Sequence, residues 1–378
     1  MTSSKKVCIV TWQGSPNYGT NLQAFALQHF LEGLGLSVRI LSSIPDYGNL
    51  VDVIYYIISE WRIYRFWLRI KHLFNHSVQL GPDNSRIRRW VRRDLHVVRV
   101  PRPSQLRKLI DETDCFISGS DQIWNSFVGV NPAMYLDFAE NKKRISYATS
   151  LGTRGIHPCH AEKIRKWLSR YQHISVREQS SVQLLKSLTR RDDVTCVLDP
   201  TFLLSPADWE AFVSETVPFA IESRPFILCY LLGSNEQYKR QVLDIQHKTG
   251  IPDIAIVPSA ENPSFSIDGA TILNNLSPTE FVRVISKASL VCTDSFHGTA
   301  LSIILSKPFV EFLRFENGDP TSQNCRIEEL LDHVGLSSRV YKSGQSTWIE
   351  APDYSKIQDF LHQARSASIK FLTSSIEK

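Results

Sequence analysis

An aspartate, a serine, a histidine, a glycine and a threonine fall within six consecutive positions, Asp294-Ser295-Phe296-His297-Gly298-Thr299. Together they can orient a proton, carry it, and hydrogen-bond an oxyanion. Leu290 to Thr293 before them read as a short buried strand. Thr299 to Leu305 after them are small or apolar at helical spacing, and Pro308 to Phe312 read as a second strand. The polar residues thus fall where a strand's carboxyl end meets a helix amino terminus. Ligands bind at such places in open α/β sheets, and the free amides and dipole of the helix favour an anion. Gly298 would let a ligand approach closely. On these residues alone a plainer reading has equal standing: Asp294 and Ser295 cap the helix, and His297 is a satisfied core histidine.

Other polar turns precede this one: Asn17-Tyr18-Gly19-Thr20-Asn21-Leu22-Gln23-Ala24, Gly119-Ser120-Asp121-Gln122-Ile123-Trp124-Asn125, Ser146-Tyr147-Ala148, Ser175-Val176-Arg177-Glu178 and Leu198-Asp199-Pro200-Thr201. Together with the stretch at 294–299 and the Lys307-Pro308-Phe309 strand, they resemble in order the signature of the polysaccharide pyruvyl transferase family. The resemblance runs from about residue 7 to about residue 336. It implies a GT-B-like architecture and transfer of a pyruvyl group from phosphoenolpyruvate to two hydroxyls of one sugar. The products would be a cyclic ketal and phosphate.

That chemistry accounts for the residue types. A donor carrying a carboxylate and a phosphate needs arginine, histidine and helix amides. A proton must reach its methylene carbon, and histidine is the side chain suited to giving one near neutral pH. Carried over by position, His297 is the acid/base or phosphate contact, and Asp294 orients it. Arg177 clamps the donor anion, while Ser295, Gly298 and Thr299 meet the phosphate. Asn17, Tyr18, Gly19, Asn21 and Gln23 line the cleft with Gly119, Ser120, Asp121 and Trp124. The match departs at Ser295, where some relatives have arginine. No metal or cofactor is expected, and phosphoenolpyruvate enters as donor substrate. The acceptor is expected to be a sugar on a lipid-linked oligosaccharide. Two alternatives stand beside this reading: a GT-B glycosyltransferase using a nucleotide-sugar, and a non-catalytic scaffold of a polysaccharide assembly complex.

The elements that must position these residues alternate strand and helix. Lys6 to Thr11 predict a strand and 13–19 a loop. The helix that follows is expected from Thr20 to Gly33 or Gly35, before a strand over Leu36 to Leu41. The loop lacks the lysine of a P-loop, which argues against a nucleotide triphosphatase. Strands over Ile145–Ala148, His173–Val176 and Thr195–Leu198, with a helix over Glu178–Leu188, put Arg177 at a strand-to-helix boundary. Strands over Pro225–Leu232 and Ile251–Val257 open a second half. Ser277-Pro278-Thr279-Glu280 is a capping box, and helices are expected over Arg326–Val334 and Tyr354–Phe371. The pattern predicts an α/β protein. The resemblance makes it two Rossmann-like domains across a cleft, residues 1–200 on the acceptor side and 201–378 carrying the histidine motif. Packing of the last helix back on the first domain is left as an open alternative.

Composition narrows the class. The chain has 378 residues, 42% hydrophobic and 21% charged, as in ordinary globular proteins. Its opening is too short for a signal peptide, and no apolar run approaches the ~20 residues that span a bilayer, so a cytoplasmic protein is expected. Seven cysteines without framework spacing fit a reducing compartment. His157-Pro158-Cys159-His160 has no partner pair at zinc spacing, so no metal is expected there. From Arg62 to Lys108, thirteen Lys or Arg face only Asp83 and Asp94, although the whole chain is at +5. Residues 54–74 add Tyr55, Tyr56, Trp61, Tyr64, Phe66, Trp67 and Phe74 among Arg62, Arg65, Arg69 and Lys71. Such a helix would pack on the domain or lie peripherally on an anionic inner-membrane face; nucleic acid is not expected.

Overall fold

The computed structural model of the chain describes residues 4–45, 47, 84–316 and 318–377. The aliphatic run Val7-Cys8-Ile9-Val10 forms β1 (Lys6–Val10), buried after its first residue, as a central parallel strand requires. With β2 (Ser37–Leu41), β3 (Cys115–Ser118) and β4 (Lys143–Ser146) it makes a parallel sheet in the order β2-β1-β3-β4. Val10 lies opposite Leu41 and Ser118, and Ser118 opposite Ser146, so the strands end level. Ile145 bridges to His173, which carries the sheet on to a parallel pair, β5 (Ile174–Val176) and β6 (Val194–Cys196). Thr11, Gly119, Tyr147 and Arg177 therefore all leave their strands along one edge.

The second sheet is also parallel, with the order β11-β10-β7-β8-β9. Its strands are β7 (Phe226–Tyr230), β8 (Asp253–Ile256), β9 (Thr271–Ile272), β10 (Leu290–Thr293) and β11 (Phe309–Glu311). Thr293 pairs with both Tyr230 and Glu311, so these three strands also end together.

The helices are α1 (Tyr18–Gly33), α2 (Ser85–Asp94), α3 (Pro103–Glu112), α4 (Pro158–Leu168), α5 (Gln179–Thr189), α6 (Pro206–Val213), α7 (Gln237–Thr249), α8 (Pro278–Lys287), α9 (Phe296–Ile304), α10 (Cys325–His333) and α11 (Tyr354–Glu377). One apolar cluster runs from the first sheet to the second, joining Ile9 and Leu22 to Leu228 and Phe281. Tyr18 marks the join, stacked on Phe281 with ring centres 4.3 Å apart and edge-on to Tyr230 at 5.9 Å. The chain ends by returning to the first sheet's side. Ser368 Oγ accepts the Leu198 amide at 3.0 Å, Arg365 donates to the Phe202 carbonyl at 2.6 Å, and Lys143 donates to the Ile376 carbonyl at 3.0 Å. This is the two-sheet GT-B arrangement, with the last helix packed back.

Two helix starts differ from the sequence expectation, for one reason. α1 begins at Tyr18 rather than Thr20, because the Asn17 side chain accepts the amides of Gly19 and Thr20. α9 begins at Phe296 rather than Thr299, because Ser295 is the cap. A capping side chain pulls the first turn onto residues that look like loop. α2, α3, α4, α6 and β9 were not expected, and α11 runs six residues past Phe371. The aromatic–basic stretch at 54–74 lies outside the described residues. Of its continuation, Arg86, Arg88, Arg89, Arg92 and Arg93 stand on α2. Among the described residues, no helix is long and apolar enough to cross a membrane.

Candidate active site

His297 sits in the first turn of α9, 5% exposed, with α1 in front of it. Gly19 makes that approach possible: a Cβ there would lie 2.1 Å from His297 Nδ1. A residue of the first sheet's helix and the imidazole of the second sheet's helix are therefore in contact, and any larger side chain would part them. Behind His297, a Cβ on Gly298 would lie 2.5 Å from Thr293 Oγ1, so this turn also sits tight on its own strand. His297 Nε2 has no hydrogen-bond partner and is 3.7 Å from Asp199 Oδ2.

Asp294 does not orient His297. Its Oδ1 accepts the Leu232 amide at 2.7 Å, and its Oδ2 accepts the Gly233 amide at 2.7 Å and the Tyr238 hydroxyl at 2.9 Å. A short carboxylate at the end of β10 reaches the free amides at the end of neighbouring β7 before it reaches a side chain one turn on. The group beside His297 is Asp199, which enters from the other sheet's side. Ser295 Oγ is occupied as well, accepting the Gly298 amide at 3.4 Å.

Thr299 Oγ1 lies 3.0 Å from the Ser295 carbonyl and in short contact with the Glu311 carboxyl. A hydroxyl has one proton for two oxygens, and the carbonyl can only accept. Thr299 therefore shares its one proton between the Ser295 carbonyl and the Glu311 carboxyl, as donor to both. Burial pushes the Glu311 carboxyl well above its usual range; Asp294 adds to this, while Thr299, Arg314 and Arg326 oppose it. Glu311 is fully buried and its other oxygen has no partner.

Arg177, at the end of β5, is 1% exposed at its side chain. Its Nε donates to Glu178 at 3.0 Å, its Nη1 to Asp199 at 2.8 Å, and its guanidinium lies 4.1 Å above the Phe296 ring. Nη2 alone has no partner. Most of the guanidinium is thus committed to protein, and one buried N–H group is left for a ligand. Burial would raise the Asp199 carboxyl, but the facing His297 and Arg177, with the Thr201 amide, hold it well below the usual carboxylate range. Ser120 Oγ joins this group 2.8 Å from Asp199. Asp121, at the unusual φ of 72°, accepts the Thr20 hydroxyl at 2.7 Å and so ties the turn after β3 to α1.

Two further arginines complete the positive side. Arg326 on α10 is 5% exposed, with Nε and Nη2 bonded only to Gln323, at 3.2 and 3.1 Å. Burial, then the nearby charges of Arg177 and Arg314, push it down to about 9 against the pull of Asp121 and Glu178. Arg314, beyond β11, has Nε 3.9 Å from Asp294 Oδ2. Arg314, Arg326, Asp199 and Glu311 were not expected as site residues. Glu311 was detectable as a lone charge in an apolar strand, and Asp199 stood in a motif. Nothing local distinguishes Arg326 from a helix-surface arginine.

Several expected site residues hold the walls instead. Trp124 is fully buried, stacked on Tyr135 at 5.4 Å, with its indole N–H on the Met134 carbonyl. It is a core side chain and does not line the cleft: the polar residues around it in sequence serve a turn. Asn21 accepts the Gly14 amide and donates to the Ser15 and Asn17 carbonyls. Gln23 donates to the Thr20 carbonyl at 2.9 Å and to Thr11 at 3.1 Å. Both shape the loop between β1 and α1. Gly119 continues the ladder, its amide on the Val10 carbonyl at 2.9 Å. Behind Arg177 and Phe296 is a cavity of about 320 Å³, also lined by Phe202, His333 and Phe360.

Two parallel α/β sheets whose strand ends face each other across a set of ionisable groups are the GT-B fold. The fold likeness spans Arabidopsis thaliana UGT89C1 complexed with UDP-L-rhamnose, at TM-score 0.53 and 9% identity over 100% of this chain and 99% of that one. It also spans the S. aureus MnaA–UDP co-structure, at TM-score 0.51 and 13% identity over 96% and 91% of the two chains. No curated protein matches the chain in sequence. The polysaccharide pyruvyl transferase family matches residues 17–314, and the chain belongs to it.

Proposed function

We propose that this cleft transfers the pyruvyl group of phosphoenolpyruvate to two hydroxyls of one sugar, in a polysaccharide or its lipid-linked precursor. The observation that carries the reading is the group of incompletely satisfied donors around His297. His297 Nε2 and Arg177 Nη2 are buried without partners, and Arg326 is a buried cation without a carboxylate in hydrogen-bond contact. Buried donors left unpaired are costly, and an anionic ligand satisfies them. A donor with both a carboxylate and a phosphate matches cations that enter from separate elements.

The steps balance as follows. His297 gives a proton to the methylene carbon, which becomes a methyl group and leaves the adjoining carbon cationic. One sugar hydroxyl adds to that carbon and loses its proton. The carbon–oxygen bond to phosphate breaks, phosphate leaves, and the second hydroxyl closes the ketal. Of the two hydroxyl protons, one replaces that taken from His297 and the other leaves with phosphate. Arg177 and Arg326 hold the donor's anionic groups, and Asp199 stabilises the protonated imidazole. The acceptor enters beside the loop between β1 and α1. A recess of about 250 Å³ there is lined by Gly14, Val91, Arg92, Leu95 and Val97.

The test is to incubate the enzyme with phosphoenolpyruvate and candidate acceptors, following phosphate release and the methyl signal of a ketal. His297→Ala should lower turnover at least ~100-fold, at the scale of general acid–base catalysis, with an unchanged melting temperature. Thermal protection by nucleotide-sugars, with none by phosphoenolpyruvate, would replace this reading with glycosyl transfer.

A further inference from the structure

Six of the seven cysteines are buried or half-buried; Cys159 alone is exposed. It stands at the amino end of α4 between His157, also exposed, and the half-buried His160. Pro158 opens the helix, and the His157 side chain folds over its first turn, with Nδ1 2.9 Å from Cys159 Sγ. The rings of His157 and His160 are 5.6 Å apart. One donor atom from each of the three residues lies within 4.8 Å of the others.

We propose that His157, Cys159 and His160 bind one zinc ion, with water completing a tetrahedron. Tetrahedral zinc with Zn–S near ~2.3 Å and Zn–N near ~2.0 Å brings its ligand atoms roughly 3.3–3.6 Å apart. The donor atoms lie within 4.8 Å of one another before any ion binds, so closing on that spacing asks for shifts of about an ångström. One thiolate and two imidazoles are the donor set of a borderline-soft transition metal, and they exclude magnesium and calcium. A second pair of ligands further along the chain is not needed, because three donors on one helical turn leave only one position for water. The positive end of the helix dipole opposes the ion, and the thiolate charge offsets it.

The site's place in the fold says what the ion would hold. His157 donates its amide to Ser126 Oγ at 2.8 Å, and its ring packs edge-on to Phe127. The segment that ends at His157 starts at Ser150, whose hydroxyl donates to Glu178 at 2.6 Å. Midway, Arg154 pairs with Glu328 at 3.2 Å and Glu329 at 3.6 Å on α10. Zinc at 157–160 would anchor the far end of a segment that ties the first sheet to the helix carrying Arg326.

Cobalt(II) and zinc(II) test this on the full chain after chelator treatment. One equivalent of cobalt should give a thiolate charge-transfer band and the visible bands of a tetrahedral ion, both removed by zinc. Cys159→Ser should abolish the charge-transfer band, and His160→Ala should weaken cobalt binding at least tenfold. Zinc should raise the melting temperature of the parent and leave that of the Cys159→Ser/His160→Ala variant unchanged. Far-ultraviolet circular dichroism checks that both variants fold. Absence of a thiolate band at one equivalent of cobalt would overturn the site. So would an equal zinc-dependent rise in melting temperature for parent and double variant.

Discussion

Arg177 and Arg326 are both buried beside the cleft, yet electrostatically they are opposites. Arg177 has Glu178 and Asp199 in direct contact. Burial pulls its charge down, but Glu178, Asp199 and Asp121 more than reverse this, and it is held above its usual value. Arg326 has only Gln323 oxygens, and burial with two neighbouring guanidiniums pushes it down to about 9. A neutralised arginine braces the protein around it. An unneutralised one costs folding energy until an anion arrives, and that cost becomes binding energy. The two are far apart in the chain and joined by charge: Arg177 helps to depress Arg326, and it keeps one unpartnered nitrogen, whereas Arg326 has no carboxylate among the described residues in hydrogen-bond contact.

Removing the brace should have the largest effect. Arg177→Met strands Asp199 and Glu178 as buried, unpaired carboxylates, and breaking such a pair costs ~3–5 kcal/mol. Urea unfolding should show that loss; a change below ~1 kcal/mol would mean Arg177 is no brace.

Arg326→Gln should do the reverse. Phosphoenolpyruvate binding, read by calorimetry, should weaken ~10–100-fold, at ~1.5–3 kcal/mol for a charged contact. Stability without ligand should stay level or rise. The sign with pH follows from the depressed folded value. The unfolded chain holds this proton more tightly, so the folding penalty is fully present below about 9 and relieved as pH rises from there toward the unfolded value. Anion binding should accordingly fall as pH climbs past about 9. Binding equal in parent and variant would remove Arg326 from the donor site.

Glu311 sharpens the contrast from the acidic side. Its folded carboxyl titrates well above the ordinary range, so above the unfolded value near ~4.3 the folded state holds a proton that the unfolded state has lost. Its stabilising contribution is complete below that value and lost as pH rises toward the folded one. Glu311→Gln keeps the shape and an acceptor for the Thr299 hydroxyl while removing the titration. Stability of the variant between pH 5 and 7 should lose a slope of up to ~1.4 kcal/mol per pH unit relative to parent. Parallel curves for the two would show that Glu311 is ionised.

The smallest effect per residue belongs to the basic stretch that begins at Arg62. Near an anionic bilayer each arginine contributes ~1 kcal/mol, and salt screens it. We expect the protein to sediment with anionic liposomes at low salt and to be released at high salt. Reversing Arg62, Arg65 and Arg69 to glutamate should abolish sedimentation without changing phosphoenolpyruvate binding. Equal sedimentation of parent and variant would leave this basic stretch no membrane role.

By itself, the sequence determined the α/β class, much of the alternation of strands and helices, and the places where polar residues meet strand ends. These follow from local rules of apolar period, capping and turn chemistry, which a short window of residues contains. His297 and Arg177 were legible for the same reason, since each stands beside a strand end. Only the tertiary structure decided which polar groups are spent and which remain available. Asp294 is consumed by amides of the neighbouring strand, and Trp124 by a ring eleven residues away. Arg326 becomes an active cation because burial and two distant arginines surround it. Gly19 reads as a turn residue in sequence, and its need to be glycine exists only once His297 arrives against it from the other sheet. Desolvation and charge pairing depend on what packs from elsewhere in the chain, so no local pattern could have carried them.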